Sequence, residues 1–213
     1  EEPYRVFTPF WRSCAARLDA LPHPLPPPAS IPAPATAPSS QALEELDLLP
    51  SIDWDSGLRA AWTPGENAAL DRIDAFAAGA VADYPEGRNR PDQVDTSRLS
   101  PHLHFGEIGP RQCVAALRNA LVERPGAQGA TEGFVRQLGW REFAHHLLHH
   151  YPHTATAPLD ARFERFPWQP NAAWLEAWQR GRTGYPIVDA GMRELWTTGW
   201  MHNRVRMIVA SLL

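Results

Sequence analysis

The residues best suited to chemistry stand near the end of the chain, in Trp200-Met201-His202-Asn203-Arg204-Val205-Arg206-Met207. Their spacing predicts a helix, at about 100° per residue. Met201, Val205, Ile208, Val209 and Leu212 then share one side as a core stripe. Trp200, Asn203, Arg204 and Met207 share the other. An indole to stack, an amide to read a heteroaromatic edge and a guanidinium for a phosphate suit a flat, charged ligand such as a nucleotide or a flavin. The alternative is a helix buried on both sides.

A further stretch repeats this trio. Gln137, Trp140 and Arg141 stand at i, i+3 and i+4 and so share one helix face. Two helices with the same unusual set suggest two walls of one pocket; Trp140 in the core with Arg141 paired to an acid is the other reading. Thr96-Ser97-Arg98-Leu99-Ser100-Pro101 brings three hydroxyls and an Arg into one loop, which can cradle a diphosphate, although Thr-Ser and Ser-Pro also mark turns and caps. His145, His146, His149 and His150 pair at i, i+4, but no carboxylate or Cys completes a zinc set, so they read as surface histidines near a helix C-terminus and no metal is expected. There is no Gly-rich phosphate loop and no Ser nucleophile motif.

The elements that must hold these residues follow from periodicity. Thr63-Pro64-Gly65-Glu66 has capping-box spacing with Pro at the first helical position, followed by a stripe of Leu70, Ile73, Ala77 and Val81. Residues 82–108 read as a long loop. Pro110 opens a helix with Val114, Leu117 and Leu121 in phase, and Thr131 can cap another that runs to about His150. Asn171 can cap a short helix carrying Trp174, Leu175 and Trp178; Pro186 starts one that ends near Gly199, with Ile187, Met192 and Leu195 available to the core. No strand pattern occurs after residue 63, so the domain reads as all-α. Before it, residues 22–38 hold eight of the 22 prolines and read as an extended surface linker, and residues 39–62 as irregular.

Composition sets the class. The chain has 213 residues, 44% hydrophobic and 21% charged, which suits one substantial globular domain. The net charge of −4 by itself argues for no polyanion partner, but it is unevenly spread. Residues 1–130 hold 11 Arg against 17 acids; residues 131–213 hold 9 Arg against 7, with six of the nine histidines. All 20 basic residues are Arg, which suits bidentate phosphate contacts and equally reflects a GC-rich genome. Two cysteines far apart fit a reduced, cytoplasmic compartment, and no apolar run approaches a membrane span. Glu1-Glu2-Pro3 lacks the regions of a signal peptide and an initiator Met, and the last helix lacks a C-cap, so the chain reads as a fragment at both ends.

Taken together, five strings resemble the DNA photolyase and cryptochrome family, specifically class I cyclobutane pyrimidine dimer photolyases of actinobacterial type. They are Tyr-Arg-Val-Phe-Thr-Pro-Phe (4–10), Thr-Ser-Arg-Leu-Ser-Pro-His-Leu-His-Phe-Gly (96–106), Phe-Val-Arg-Gln-Leu-Gly-Trp-Arg-Glu-Phe (134–143), Gly-Arg-Thr-Gly-Tyr-Pro-Ile-Val-Asp-Ala-Gly-Met-Arg (181–193) and Gly-Trp-Met-His-Asn-Arg-Val-Arg-Met (199–207). The resemblance covers almost the whole chain. It implies the tail of an α/β antenna domain at 1–13, an interdomain linker at 14–62, and a helical FAD-binding domain from 63 to 213 that continues downstream. It also implies light-dependent repair, with reduced FAD passing an electron to a flipped-out dimer in UV-damaged DNA. Such an extrusion costs a few kcal/mol and needs an aromatic wall to receive the base.

Residue roles are implied in the same way. Tyr84 with Thr96, Ser97, Arg98, Leu99 and Ser100 should hold the FAD phosphates. Arg141 and Arg206 should lie by the cofactor, and Asn203 near the flavin ring, facing the lesion. Gln137, Trp140 and Met207 should line the lesion pocket, Trp200 serving as wall or as packing. Arg88 and Arg204 should meet DNA phosphates, a salt-dependent term. Trp168 resembles the outer tryptophan of the electron path that photoreduces FAD. An additional antenna chromophore, a folate or deazaflavin, is implied on the domain upstream, with a monomeric protein when full length. Many dimer photolyases carry Glu where Gln137 stands; Gln there resembles (6-4) photolyases and animal cryptochromes and also occurs in actinobacterial dimer photolyases, whereas Asn203-Arg204 resembles the dimer enzymes. A cryptochrome photoreceptor and a non-catalytic nucleotide- or DNA-binding module remain the alternatives.

Overall fold

Every regular element among the described residues is helical. The computed structural model describes residues 2–36, 38–123 and 125–213. Glu1 in the expected tail, Ala37 in the proline-rich stretch and Arg124 lie outside the described residues. Among the described residues the α-helices are α1 (Phe7–Ala15), α2 (Ser56–Ala61), α3 (Glu66–Ala78), α4 (Tyr84–Gly87), α5 (Ser100–Phe105), α6 (Pro110–Glu123), α7 (Gln128–His150), α8 (Ala172–Gln179), α9 (Pro186–Thr198) and α10 (Asn203–Ser211), with no strand among them, as the all-α reading expects. The chain divides into two units: Glu1–His23 with Pro64–Glu176, and Pro24–Thr63 with Ala177–Leu213.

The first unit is built on α3, α6 and α7. Ile73, Phe76, Cys113, Leu117, Phe134 and Leu138 close its core. Each fully buried Ile or Leu contributes about 1.5–3 kcal/mol. A smaller cluster of Phe7, Phe10 and Phe143 lies where α1 meets α7, and Trp11 packs against both clusters. That meeting requires Gly139: a Cβ there would stand 2.5 Å from the Trp11 ring. So α1, which reads from sequence as the tail of another domain ending at residue 13, runs to Ala15 and packs with the helices.

Several local expectations change. The capping box at Thr63 does not form. Gly65, at φ +109°, precedes α3, and its N–H donates to the Glu107 carboxylate at 2.8 Å. The other Glu107 oxygen lies 2.5 Å from Nδ1 of the buried His102. These two hydrogen bonds, His102 first, hold Glu107 below the ordinary carboxylate range. Residues 82–108 are not one loop, because α4 and α5 interrupt them. Thr131 is not a cap; α7 starts at Gln128 and buries Thr131 in its first turns.

The second unit has its own core of Val188, Met192, Met201, Val205 and Val209, with Trp178, Leu195 and Leu212 packed against it. Here α9 lies on α10 at Gly191, where a Cβ would meet Val205 Cγ1 at 2.4 Å. The Asp189 carboxylate accepts from the Thr183 N–H and hydroxyl, both at 2.7 Å, and from the Gly184 N–H at 3.0 Å. The Thr183 hydroxyl bond, more than the backbone bonds, pulls the Asp189 pKa down. The residues expected as linker are not irregular throughout: α2 packs on α9, and Trp62 Nε1 donates to the Thr198 carbonyl at 2.6 Å.

The closing helix differs from its expected course. It starts at Asn203, capped by His202, whose Nδ1 accepts the Arg204 N–H at 3.2 Å. Trp200 and Met201 precede it, so Trp200 does not share its face. Ile208, expected in the core stripe, is exposed, whereas Val209 is 3% exposed and buried.

Candidate functional site

One face of α7 carries Gln137, Trp140 and Arg141, as helical spacing requires. Gln137 is half-buried, and its Nε2 donates to the Gly133 carbonyl at 3.5 Å. Arg141 pairs with Glu142 at 2.5 Å and donates to the Leu103 carbonyl at 3.4 Å, which ties α7 to α5. Trp140 lies flat on Phe7, with ring centroids 3.6 Å apart and planes at 10°. It remains 47% exposed. Stacked on Phe7, the indole still leaves about half of its surface free for a further contact.

The loop 96–100 lies in the same unit. Leu99 is buried and anchors it, and the Leu99 N–H donates to Ser97 Oγ at 3.4 Å. Arg98 takes φ +50°, a left-handed conformation rare outside glycine, and Leu99 returns to the right-handed region. Such an alternation is the backbone pattern of an anion nest, here with the Leu99 N–H already serving Ser97 Oγ. Burial, and then the charge of Arg98, push the Arg72 guanidinium below its ordinary value. Like charges that act on each other favour an anion beside them. Tyr84 is buried between Phe76 and Phe134, at 5.6 and 5.4 Å, so any phosphate contact falls to its hydroxyl. Arg88 lies over the Tyr84 ring, with Cζ 5.4 Å from its centroid.

The remaining expected residues stand in the second unit. Asn203, Arg206 and Met207 are exposed on α10 and Arg204 is half-buried. Asn203 Nδ2 and an Arg204 Nη lie 4.0 and 3.6 Å from Met207 Sδ, so amide, guanidinium and thioether do form one surface. Trp168, in the first unit, is 66% exposed and tilted against Phe166 at 4.6 Å.

The histidines are not all on the surface. His146 is half-buried against Tyr4, Phe10 and Phe143. Desolvation, then His146 and His149, lower the His150 pKa. Among the described residues no three His, Cys, Asp or Glu side chains are grouped to hold a metal. Both cysteines are free, and burial pushes the Cys113 thiol up to about 11, where it is an inert core side chain. No described helix is long and apolar enough to cross a membrane. Sequence reasoning missed Phe7 and Arg72. Phe7 falls in a segment that reads as a tail, and Arg72 reads as an ordinary polar residue on the outside of α3.

Residues 134–213 match the family model described as the FAD binding domain of DNA photolyase. Over 213 residues the chain is 46% identical to a deoxyribodipyrimidine photo-lyase of Agrobacterium fabrum, covering 99% of this chain and 44% of the relative. Among solved structures it resembles a bacterial class III photolyase from Agrobacterium tumefaciens, with TM-score 0.90 at 46% identity over 99% of this chain and 43% of the other. A Synechocystis cryptochrome follows, with TM-score 0.77 at 30% identity over 99% of this chain and 44% of the other. The chain thus spans less than half the length of the proteins it matches.

Proposed function

From its likeness to photolyases and the match of residues 134–213 to their FAD binding domain, we propose that this chain belongs to the photolyase/cryptochrome family and is part of a deoxyribodipyrimidine photolyase that repairs cyclobutane pyrimidine dimers in UV-damaged DNA under light. The observation that carries the reading is the indole of Trp140, stacked on Phe7 and about half exposed. An extruded base needs such a platform.

The residues present fit FAD. The nest at Arg98-Leu99, with the hydroxyls of Thr96, Ser97 and Ser100 and the cations of Arg98 and Arg72, suits a diphosphate. Tyr84 adds its hydroxyl, Arg141 and Arg206 would hold the cofactor from its flanks, and Asn203 would meet the flavin edge. FAD held by these residues would supply, in its reduced form, light-driven one-electron chemistry for opening the cyclobutane ring, with the electron returning afterwards. The chain's own residues bind and orient. Trp140 stacks the lesion, and Gln137 offers its amide to the pyrimidine edge. From α10, Asn203 and Met207 would add an amide and a thioether, while Arg88 and Arg204 neutralise flanking phosphates. Trp168, already near the surface, suits the outer end of an electron path.

The subclass reading shifts. The class named for the Agrobacterium tumefaciens structure favours a class III assignment over class I. Gln137 favours one other reading, a (6-4) photolyase or a cryptochrome-type receptor. The further antenna chromophore, a monomeric state and a cytoplasmic location belong to the same proposal. Illuminating the full-length protein with an oligonucleotide carrying one thymine dimer decides among these. Restored thymines support dimer repair. Repair of a (6-4) product alone, or of neither lesion, overturns it.

A further inference from the structure

We infer that Phe7 is a positioning residue for Trp140: it fixes the plane of the indole on which the extruded base stacks. The inference rests on the lesion-pocket reading above and gives Phe7 a role in it.

A half-exposed Trp on the outside of a helix would ordinarily sample several rotamers. A platform that must be ordered at the moment of binding loses affinity to that ordering. The surroundings of Trp140 remove the cost in advance. Phe7 lies parallel to the indole at 3.6 Å and 10°, and Phe143 meets it edge-on at 5.9 Å and 75°. Phe7 is itself fixed. It is 4% exposed, with Trp11 near-parallel at 6.2 Å and the Arg136 guanidinium over its ring at 5.7 Å. Trp11 in turn sits where Gly139, the residue before Trp140, leaves no side chain. The chain of fixation therefore runs from α1 into the platform.

A good aromatic pair changes an affinity by about two- to tenfold. In the full-length protein, Phe7→Leu keeps an apolar side chain but removes the flat ring. It should lower the preference for a thymine-dimer oligonucleotide over the undamaged one by about two- to tenfold. Phe7→Tyr, which restores the ring, should recover it. Trp140→Ala should weaken dimer binding by about five- to 150-fold, from the lost base stack. In that background Phe7→Leu should cost nothing more. An equal loss from Phe7→Leu with and without Trp140 would make Phe7 merely structural and overturn the inference. If Trp140→Ala weakens binding but Phe7→Leu does not, the inference alone falls. If Trp140→Ala has no effect, the pocket reading falls and takes the inference with it. Melting temperatures check the fold throughout, and Phe7→Met replaces the Leu variant if that one does not fold.

Discussion

Trp168 shows what a single side chain can be asked to do. Its indole is 66% exposed and touches Phe166, so its packing contributes little to the fold. Trp168→Phe is therefore expected to leave the stability within about 0.5 kcal/mol of the parent. In the full-length protein it should slow photoreduction of oxidised FAD and leave repair by already reduced protein intact. Transient absorption reads the first, and unchanged photoreduction would remove Trp168 from the electron path. At this scale the sequence was most legible where chemistry and spacing coincide. Gln137, Trp140 and Arg141 share a face because they are three and four residues apart on a helix, and α7 is continuous there. Phe7 was not legible, because no local rule joins it to a partner on α7. Nor was Arg72, whose shifted pKa depends on a loop folding back beside α3.

Helix packing makes close approaches at Gly57, Gly139 and Gly191, and the one at Gly139 is directly testable. Gly139→Ala places a methyl group 2.5 Å from the Trp11 ring, so α1 must lift from α7. The expected loss is about 1–3 kcal/mol in chemical denaturation. Gly133→Ala is the control on the same helix: its Cβ meets nothing within 4 Å, and removing a helical glycine should gain about 0.5–1 kcal/mol. Equal effects would discredit the packing argument. At the entrance to α9, Asp189 gives a pH dependence. Its carboxyl is acidified by the bonds from Thr183 and Gly184, so the ionised form favours the folded state. That contribution is complete above the ordinary carboxylate range and is lost as pH falls through the lower folded value. Asp189→Asn should flatten the acid side of the stability profile and weaken the protein at neutral pH; an unchanged slope would refute it. Helix existence was readable from period and from Pro110, Asn171 and Pro186. The caps were less so, because Gly65 is served by Glu107 from beyond α5, and α10 by His202 rather than by a first turn at Trp200.

For the molecule as a whole, the expected site residues are divided between the two units, with Tyr84, the 96–100 loop, Gln137, Trp140 and Arg141 in one and Asn203, Arg204, Arg206 and Met207 in the other. Residues 1–213 span less than half the length of the matched proteins, and expressed alone they should retain FAD weakly and dissolve poorly. At the end of α10, Val209 is buried and Leu212 half-buried in the core of its unit, whereas Ile208 and Leu213 are exposed. Exposed apolar side chains of that unit include Leu48, Leu49, Ile52, Trp54, Trp196 and Met207. A yellow, monomeric preparation with one FAD per chain would show that this expectation is mistaken.

The partnership of Phe7 with Trp140 also has a cost in time. The two rings are separated by roughly 130 residues of chain. A ribosome adds about 5–20 residues per second, so α1 emerges on the order of ten seconds before the helix that will cover it. Throughout that interval Phe7, Phe10 and Trp11 have no α7 to pack against, and a chaperone that recognises short aromatic segments would meet them first.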